Sequence, residues 1–165
     1  SLEIFNTGSQ LINGCESNIP LFDKLLRRGK FLFVHGADDN HNKKPFGDLL
    51  CDSFGAWTQV LAKSLDYASV VEALEKGDFY ATTGPTITNL TFDKSHVTLD
   101  CTPAQRIIVH GSPKAAYSFY NSDGTPVTHA EFDIPPQAPY VYFSVHTADG
   151  KAAHTRAFRP EEYRR

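Results

Sequence analysis

Apolar and polar positions change rhythm midway along the chain. In the first half, short apolar runs alternate with stretches of helical spacing. Residues 2–6 (Leu-Glu-Ile-Phe-Asn) read as a strand, and residues 7–15, with Gly8, Asn13 and Gly14, as a loop. Ser17, Asn18 and Pro20 mark a helix start. Ile19, Phe22, Leu25 and Leu26 share one face of that helix, and Gly29 supplies a left-handed end. Residues 31–34 form the next apolar run, followed by a long polar loop at 38–55 and a further strand at 57–62. Asp66 caps a helix over 67–76, with Val70, Val71 and Leu74 on its apolar face and Gly77 at its end. Strand, helix, strand, helix in this order predicts parallel crossover units.

After residues 79–85 the helical period is lost. Short alternating runs take over at 88–92, 96–101, 106–110, 115–120, 140–147 and 151–158, separated by turn signals at Asp93-Lys94, Asp123-Gly124 and Asp149-Gly150. That spacing predicts a small β-sandwich beginning near Gly84-Pro85.

Composition narrows the function classes. The 165 residues carry a net charge of -3, with 41% hydrophobic and 21% charged residues, so a globular protein is expected. Basic residues are scattered, which argues against nucleic acid. Arg27, Arg28 and Lys30 fall at a predicted helix end, where they offset the dipole. No apolar run reaches membrane-spanning length. Cys15, Cys51 and Cys101 are far apart and odd in number, which predicts reduced thiols and a cytoplasmic setting. The chain has no methionine and opens inside a strand, so a piece of a longer protein is expected.

The candidate chemistry lies where the strand at 31–34 gives way to Gly36-Ala37-Asp38-Asp39-Asn40-His41. Carboxylate and neutral imidazole suit Zn, Mn or Fe, and residues two apart on an extended backbone point the same way. Asp39 and His41 are therefore the candidate metal ligands. A loop that spends Asp and Asn on turns is the competing reading. Asp38, His35 and Glu3 are candidates to join them or to hydrogen-bond a ligand, and Asp48 and Asp52 are loop acids within possible reach. Thr82-Thr83-Gly84-Pro85 lacks the lysine and following helix of a phosphate loop and reads as a turn between domains. Trp57 and Tyr80 are expected in the core. His96, His110, His129, His146 and His154 lack ligand spacing and are expected at surface or cross-strand positions. The serine-hydrolase, zincin and dinucleotide signatures are absent.

Asp38-Asp39-Asn40-His41 after a strand, Trp57-Thr58-Gln59-Val60 after a loop, and the run from Val71 through Gly77-Asp78-Phe79-Tyr80 to Thr83-Gly84-Pro85 together resemble the C-terminal part of PHP-domain (polymerase and histidinol phosphatase) proteins. Leu2 to Asn6 matches a strand of that fold, and Ala148 to Ala153 resembles the last hairpin of a β tail found in one branch of the family. The resemblance implies an α/β part followed by an all-β part: the C-terminal half of a distorted (βα)7 PHP-type barrel, of TIM-like kind, at 1–85, and a small β-sandwich at 86–165. It also implies a metal-dependent phosphoesterase, a hydrolase using Mn, Zn or Fe on a small phosphorylated substrate, with Asp39 and His41 as the family's late Asp-x-His ligand pair. The family's early His-x-His pair and its middle Glu and His ligands have no counterpart in this sequence. The chain alone is therefore expected to be inactive and to pair with a missing N-terminal half or with itself. The alternative from a different class is a non-catalytic β-sandwich module for carbohydrate or protein, suggested by Tyr117, Phe119, Tyr120, Tyr140, Tyr142 and Phe143.

Overall fold

The computed structural model describes residues 1–111 and 115–164. The chain divides into two compact units, Ser1–Gly84 and Pro85–Arg165. The first contains β1 (Leu2–Asn6), α1 (Thr7–Asn13), α2 (Ile19–Arg27), β2 (Val34–Ala37), β3 (Trp57–Val60), α3 (Tyr67–Lys76) and β4 (Phe79–Thr82).

Strands β1 and β2 pair in parallel, with Glu3 opposite His35, and α1 and α2 lie in the connection between them. Phe22 and Leu26 on α2 are buried, as are Ile4 of β1 and Val34 of β2. Helix α1 occupies a segment whose glycines and asparagines predict a loop. Its two ends explain it: the Asn6 side chain accepts the Ser9 N–H at 2.8 Å, and Gly14 closes the far end in the left-handed region. Strand β2 begins at the end of the apolar run, because its register with β1 starts at Leu2 opposite Val34.

The second crossover does not form. Strands β3 and β4 are antiparallel, with Trp57 opposite Thr82 and Val60 opposite Phe79. The Leu61 N–H donates to the Asp78 carbonyl at 2.8 Å, so the chain re-enters the sheet at the end it left, and α3 is an excursion between them. A barrel of βα units needs every helix to carry the chain back to the start of a parallel strand. With eleven strands and only four helices among the described residues, and with antiparallel pairing here and throughout the second unit, the expected half of a (βα)7 or TIM-like barrel is corrected.

Helix α3 forms where its caps predict. The Asp66 carboxylate accepts the Ser69 N–H at 2.9 Å, and Gly77 ends the helix at φ 75°. Hydrogen bonds from Ser64 and Ser69 hold that carboxyl down at about 2. On α3 only Ala73 is fully buried, and Leu74 is exposed. Tyr80 is buried as expected. Trp57 is not: it is 36% exposed, and its indole N–H reaches Gln59 at 3.3 Å.

The second unit contains β5 (Ile87–Asp93), β6 (His96–Ala104), β7 (Arg106–Gly111), β8 (Ala115–Phe119), β9 (Val127–Asp133), β10 (Val141–His146), β11 (Ala152–Thr155) and α4 (Pro160–Tyr163). Three strands form a sheet in the order β5-β6-β9, and four run β11-β10-β7-β8. The two sheets meet through aromatic rings. Phe143 of β10 lies against Phe92 of β5 at 6.1 Å and Phe132 of β9 at 5.4 Å, and Phe119 of β8 meets Phe132 at 5.8 Å. Strand β9 escaped sequence reading because only Val127 and Ala130 along it are buried, so no clean alternation marks it. No helix among the described residues is long and apolar enough to cross a membrane.

Candidate functional site

The loop between β2 and β3 is organised by its own acids. Asp38 directs its carboxylate to the loop's far end, where it accepts backbone N–H groups from Phe54, Gly55 at 2.9 Å and Ala56 at 2.8 Å. Asp38 is therefore a clasp for the loop. Asp39 follows with φ 51°, in the left-handed region that short polar side chains tolerate. That twist lets the Asp39 carbonyl turn to the His41 ring, with Nδ1 at 2.6 Å. A carbonyl can only accept, so Nδ1 carries the proton and the Nε2 lone pair is left to act as a donor to an electrophile. Asp39 itself and the His41 ring are exposed.

Asp52 lies beside His41. One of its oxygens accepts the His41 backbone N–H at 2.8 Å and stands 4.0 Å from Nδ1. The residue is 1% exposed, yet its other oxygen has no hydrogen-bond partner among the described residues. An unsatisfied buried carboxylate oxygen is costly, and a cation is one group that would relieve it. Asp48 is spent on a turn: its carboxylate accepts the Leu50 N–H at 2.8 Å.

Glu3 and His35 form a separate pair. They face each other across the β1–β2 register, with His35 Nε2 at 3.8 Å from Glu3. The other Glu3 oxygen accepts from the Asn6 amide at 2.9 Å. His35 Nδ1 is buried without a hydrogen bond among the described residues.

Among the described residues no three His, Cys, Asp or Glu side chains converge to hold a metal ion. The expectation of an assembled metal-binding cluster is corrected accordingly. Asp38 is committed to the loop backbone, Glu3 pairs with His35, and the grouping that does form is His41 with Asp52 and the Asp39 backbone. Buried Asp52 was named from sequence only as one loop acid among several. No local signal separates it from Asp48, because burial is decided by how the loop folds back.

The second unit holds a polar cluster that sequence spacing conceals. Ser144 lies between two imidazoles, 2.8 Å from His110 Nε2 and 2.9 Å from His146 Nε2. The His110 ring stacks on Tyr142 at 4.3 Å, and His154 lies edge-on to His146 at 5.5 Å. Strand alternation puts all of them on one sheet face, since Tyr142 pairs with His110 and Ser144 with His154. Ser144 and His154 are buried, so His154 holds a cross-strand place opposite Ser144 and not a surface one. The hydroxyl is out of reach of a substrate, and the cluster acts as a hydrogen-bonded network. His96 and His129 do lie cross-strand, at 2.9 Å from Asp133 and 2.6 Å from Asp100. Burial, with the Asp100 charge, pushes the Cys101 thiol up to about 11, so it is inert at neutral pH.

No family model, no curated protein and no solved structure matches this chain.

Proposed function

We propose that the β2–β3 loop is one side of a divalent-metal site in a phosphoesterase, with His41 and Asp39 as the ligands this chain contributes and Asp52 next to them. One observation carries the reading. The Nδ1–H of His41 is held by a backbone carbonyl, which orients the ring and leaves Nε2 as the donor, as metal-bound histidines are commonly arranged. The donor types suit Mn, Zn or Fe, but the number is short. Two or three donors do not hold an ion tightly, and the activity needs ligands from a further polypeptide segment. A metal so bound would polarise a phosphoryl oxygen and supply a hydroxide. Within the chain, Asp38 holds the loop closed, the Asp39 carbonyl fixes the His41 ring, and Asp52 fixes the His41 backbone. The substrate is a small phosphate ester, and the compartment is the cytoplasm, which the three free cysteines support.

Manganese titration followed by NMR tests this. Mn²⁺ should broaden the His41 ring signals first, inorganic phosphate should tighten that binding, and the double variant Asp39→Ala, His41→Ala should abolish both effects. Broadening that ignores the double variant would remove the reading. The chain alone should not hydrolyse p-nitrophenyl phosphate.

A further inference from the structure

A cleft of about 540 Å³ opens at one end of the second unit, walled by the end of β6, the start of β7, the end of β8 and the turn that follows β8. That is the size of a site for one or two sugar rings. Its polar lining comes from Gln105, Arg106, Ser118, Tyr120, Asn121 and Ser122.

Two of these share one sheet face, and a third follows the end of β8. Ser118 pairs with Ile108 across β7–β8. Arg106 lies two residues before Ile108 on β7 and so projects on the same side as Ser118, while Tyr120, just past the end of β8, lines the same cleft. Tyr120 is 64% exposed and so presents its ring to the cleft and solvent. Tyr140, Tyr142 and Phe143 are buried, so the aromatic run in the sequence splits into core residues and this exposed end. Arg106 is the one charged lining residue, and its guanidinium makes no ion pair or side-chain hydrogen bond among the described residues. Asp123, beside Ser122 in the turn, is already engaged: its carboxylate accepts from the backbone and hydroxyl of Thr125, which lower its pKa. The Asn121 amide nitrogen is committed to Thr125 and Pro126, which holds the turn and leaves its side-chain oxygen as an acceptor.

An unpaired planar cation beside an exposed aromatic face, rimmed by amides and hydroxyls, matches a sugar that carries a carboxylate. The ring's C–H face stacks on Tyr120, the carboxylate meets the two-pronged guanidinium, and the hydroxyls meet Gln105, Asn121 and the serines. We propose that this cleft binds a uronic acid or a glycan ending in one. The proposal is independent of the metal reading, because it uses no residue of the first unit.

Saturation-transfer NMR and calorimetry on the whole chain test it, with methyl glucuronide as probe and methyl glucoside and adenosine monophosphate as comparisons. The glucuronide should bind about tenfold more tightly than the glucoside, since a hydrogen bond to a charged group is worth roughly that factor. Arg106→Gln should remove the difference between the two sugars, and Tyr120→Ala should weaken both. Both residues are exposed, and an unchanged circular dichroism spectrum would show that the variants fold. Three results would overturn the proposal: no glucuronide binding, glucuronide binding unchanged in Arg106→Gln, or tighter binding of the nucleotide than of the glucuronide.

Discussion

The carboxylate of Asp38 accepts the backbone N–H of Ala56 at 2.8 Å, joining the two mouths of a loop whose ends stand eighteen residues apart. The same carboxylate also takes the N–H groups of Phe54 and Gly55. Removing it strands three donors at once. Asp38→Ala should cost about 1.5–3 kcal/mol, the range for hydrogen bonds to a charged acceptor. Urea unfolding would measure this, and limited proteolysis should cut within residues 39–55 sooner than in the parent. An unchanged cleavage rate would mean that the loop is held by other contacts.

Acid should weaken the fold through its buried imidazoles. Burial, aided by the charges of His146 and His110, holds His154 well below its ordinary value of 6.5. Burial, aided by Arg106, lowers His146. Below about 6.5 the unfolded chain takes up protons that the folded chain refuses, so stability is full above that pH and falls as pH drops through it. His129 works in the opposite sense: its bond to Asp100 raises its pKa, so its gain is present below 6.5 and fades as pH rises through the folded value. That pair is exposed, and salt should erase its part. Denaturation midpoints between pH 7.5 and 5, compared for the parent and His154→Phe, should show a flatter slope in the variant.

Two glycines at positive φ should respond differently to alanine. A Cβ on Gly77 would collide with the Phe33 ring, which itself packs edge-on against Phe79 at 5.7 Å. A Cβ on Gly14 would meet nothing within 4 Å. Gly14→Ala should cost only the strain of the left-handed backbone, about 1 kcal/mol, whereas Gly77→Ala should cost clearly more. Equal losses in thermal melts would show that the Phe33 ring moves aside freely.

Phe143 is fully buried where the two sheets of the second unit meet, against Phe92, Phe132 and Phe158. Phe143→Ala should destabilise that unit by about 3–5 kcal/mol. Near-ultraviolet circular dichroism and chemical denaturation would register it. A loss under 1 kcal/mol would imply that the neighbouring rings close over the cavity.

Local chemistry along the chain determined the elements whose information is itself local. Asp66 and Gly77 bracket α3, Pro20 and the stripe of Phe22 and Leu26 define α2, and the Asp-Gly and Asp-Lys pairs divide the later strands. The sequence also singled out the segment after β2 as chemically dense. Tertiary structure decided everything that depends on pairing between distant residues. Whether α3 carries the chain across a sheet or returns it to the same end hangs on the Leu61–Asp78 backbone bond, which no side-chain pattern encodes. That single choice separates a parallel barrel from the antiparallel arrangement found. The roles of Asp38, Asp52 and His154 were settled in the same way: a carboxylate becomes a clasp or an unsatisfied buried group, and an imidazole a buried one, only once a remote stretch of backbone has closed over it. Periodicity reports which face of an element is apolar. It does not report which partner covers that face, because burial is a property of the folded neighbourhood and not of the residue.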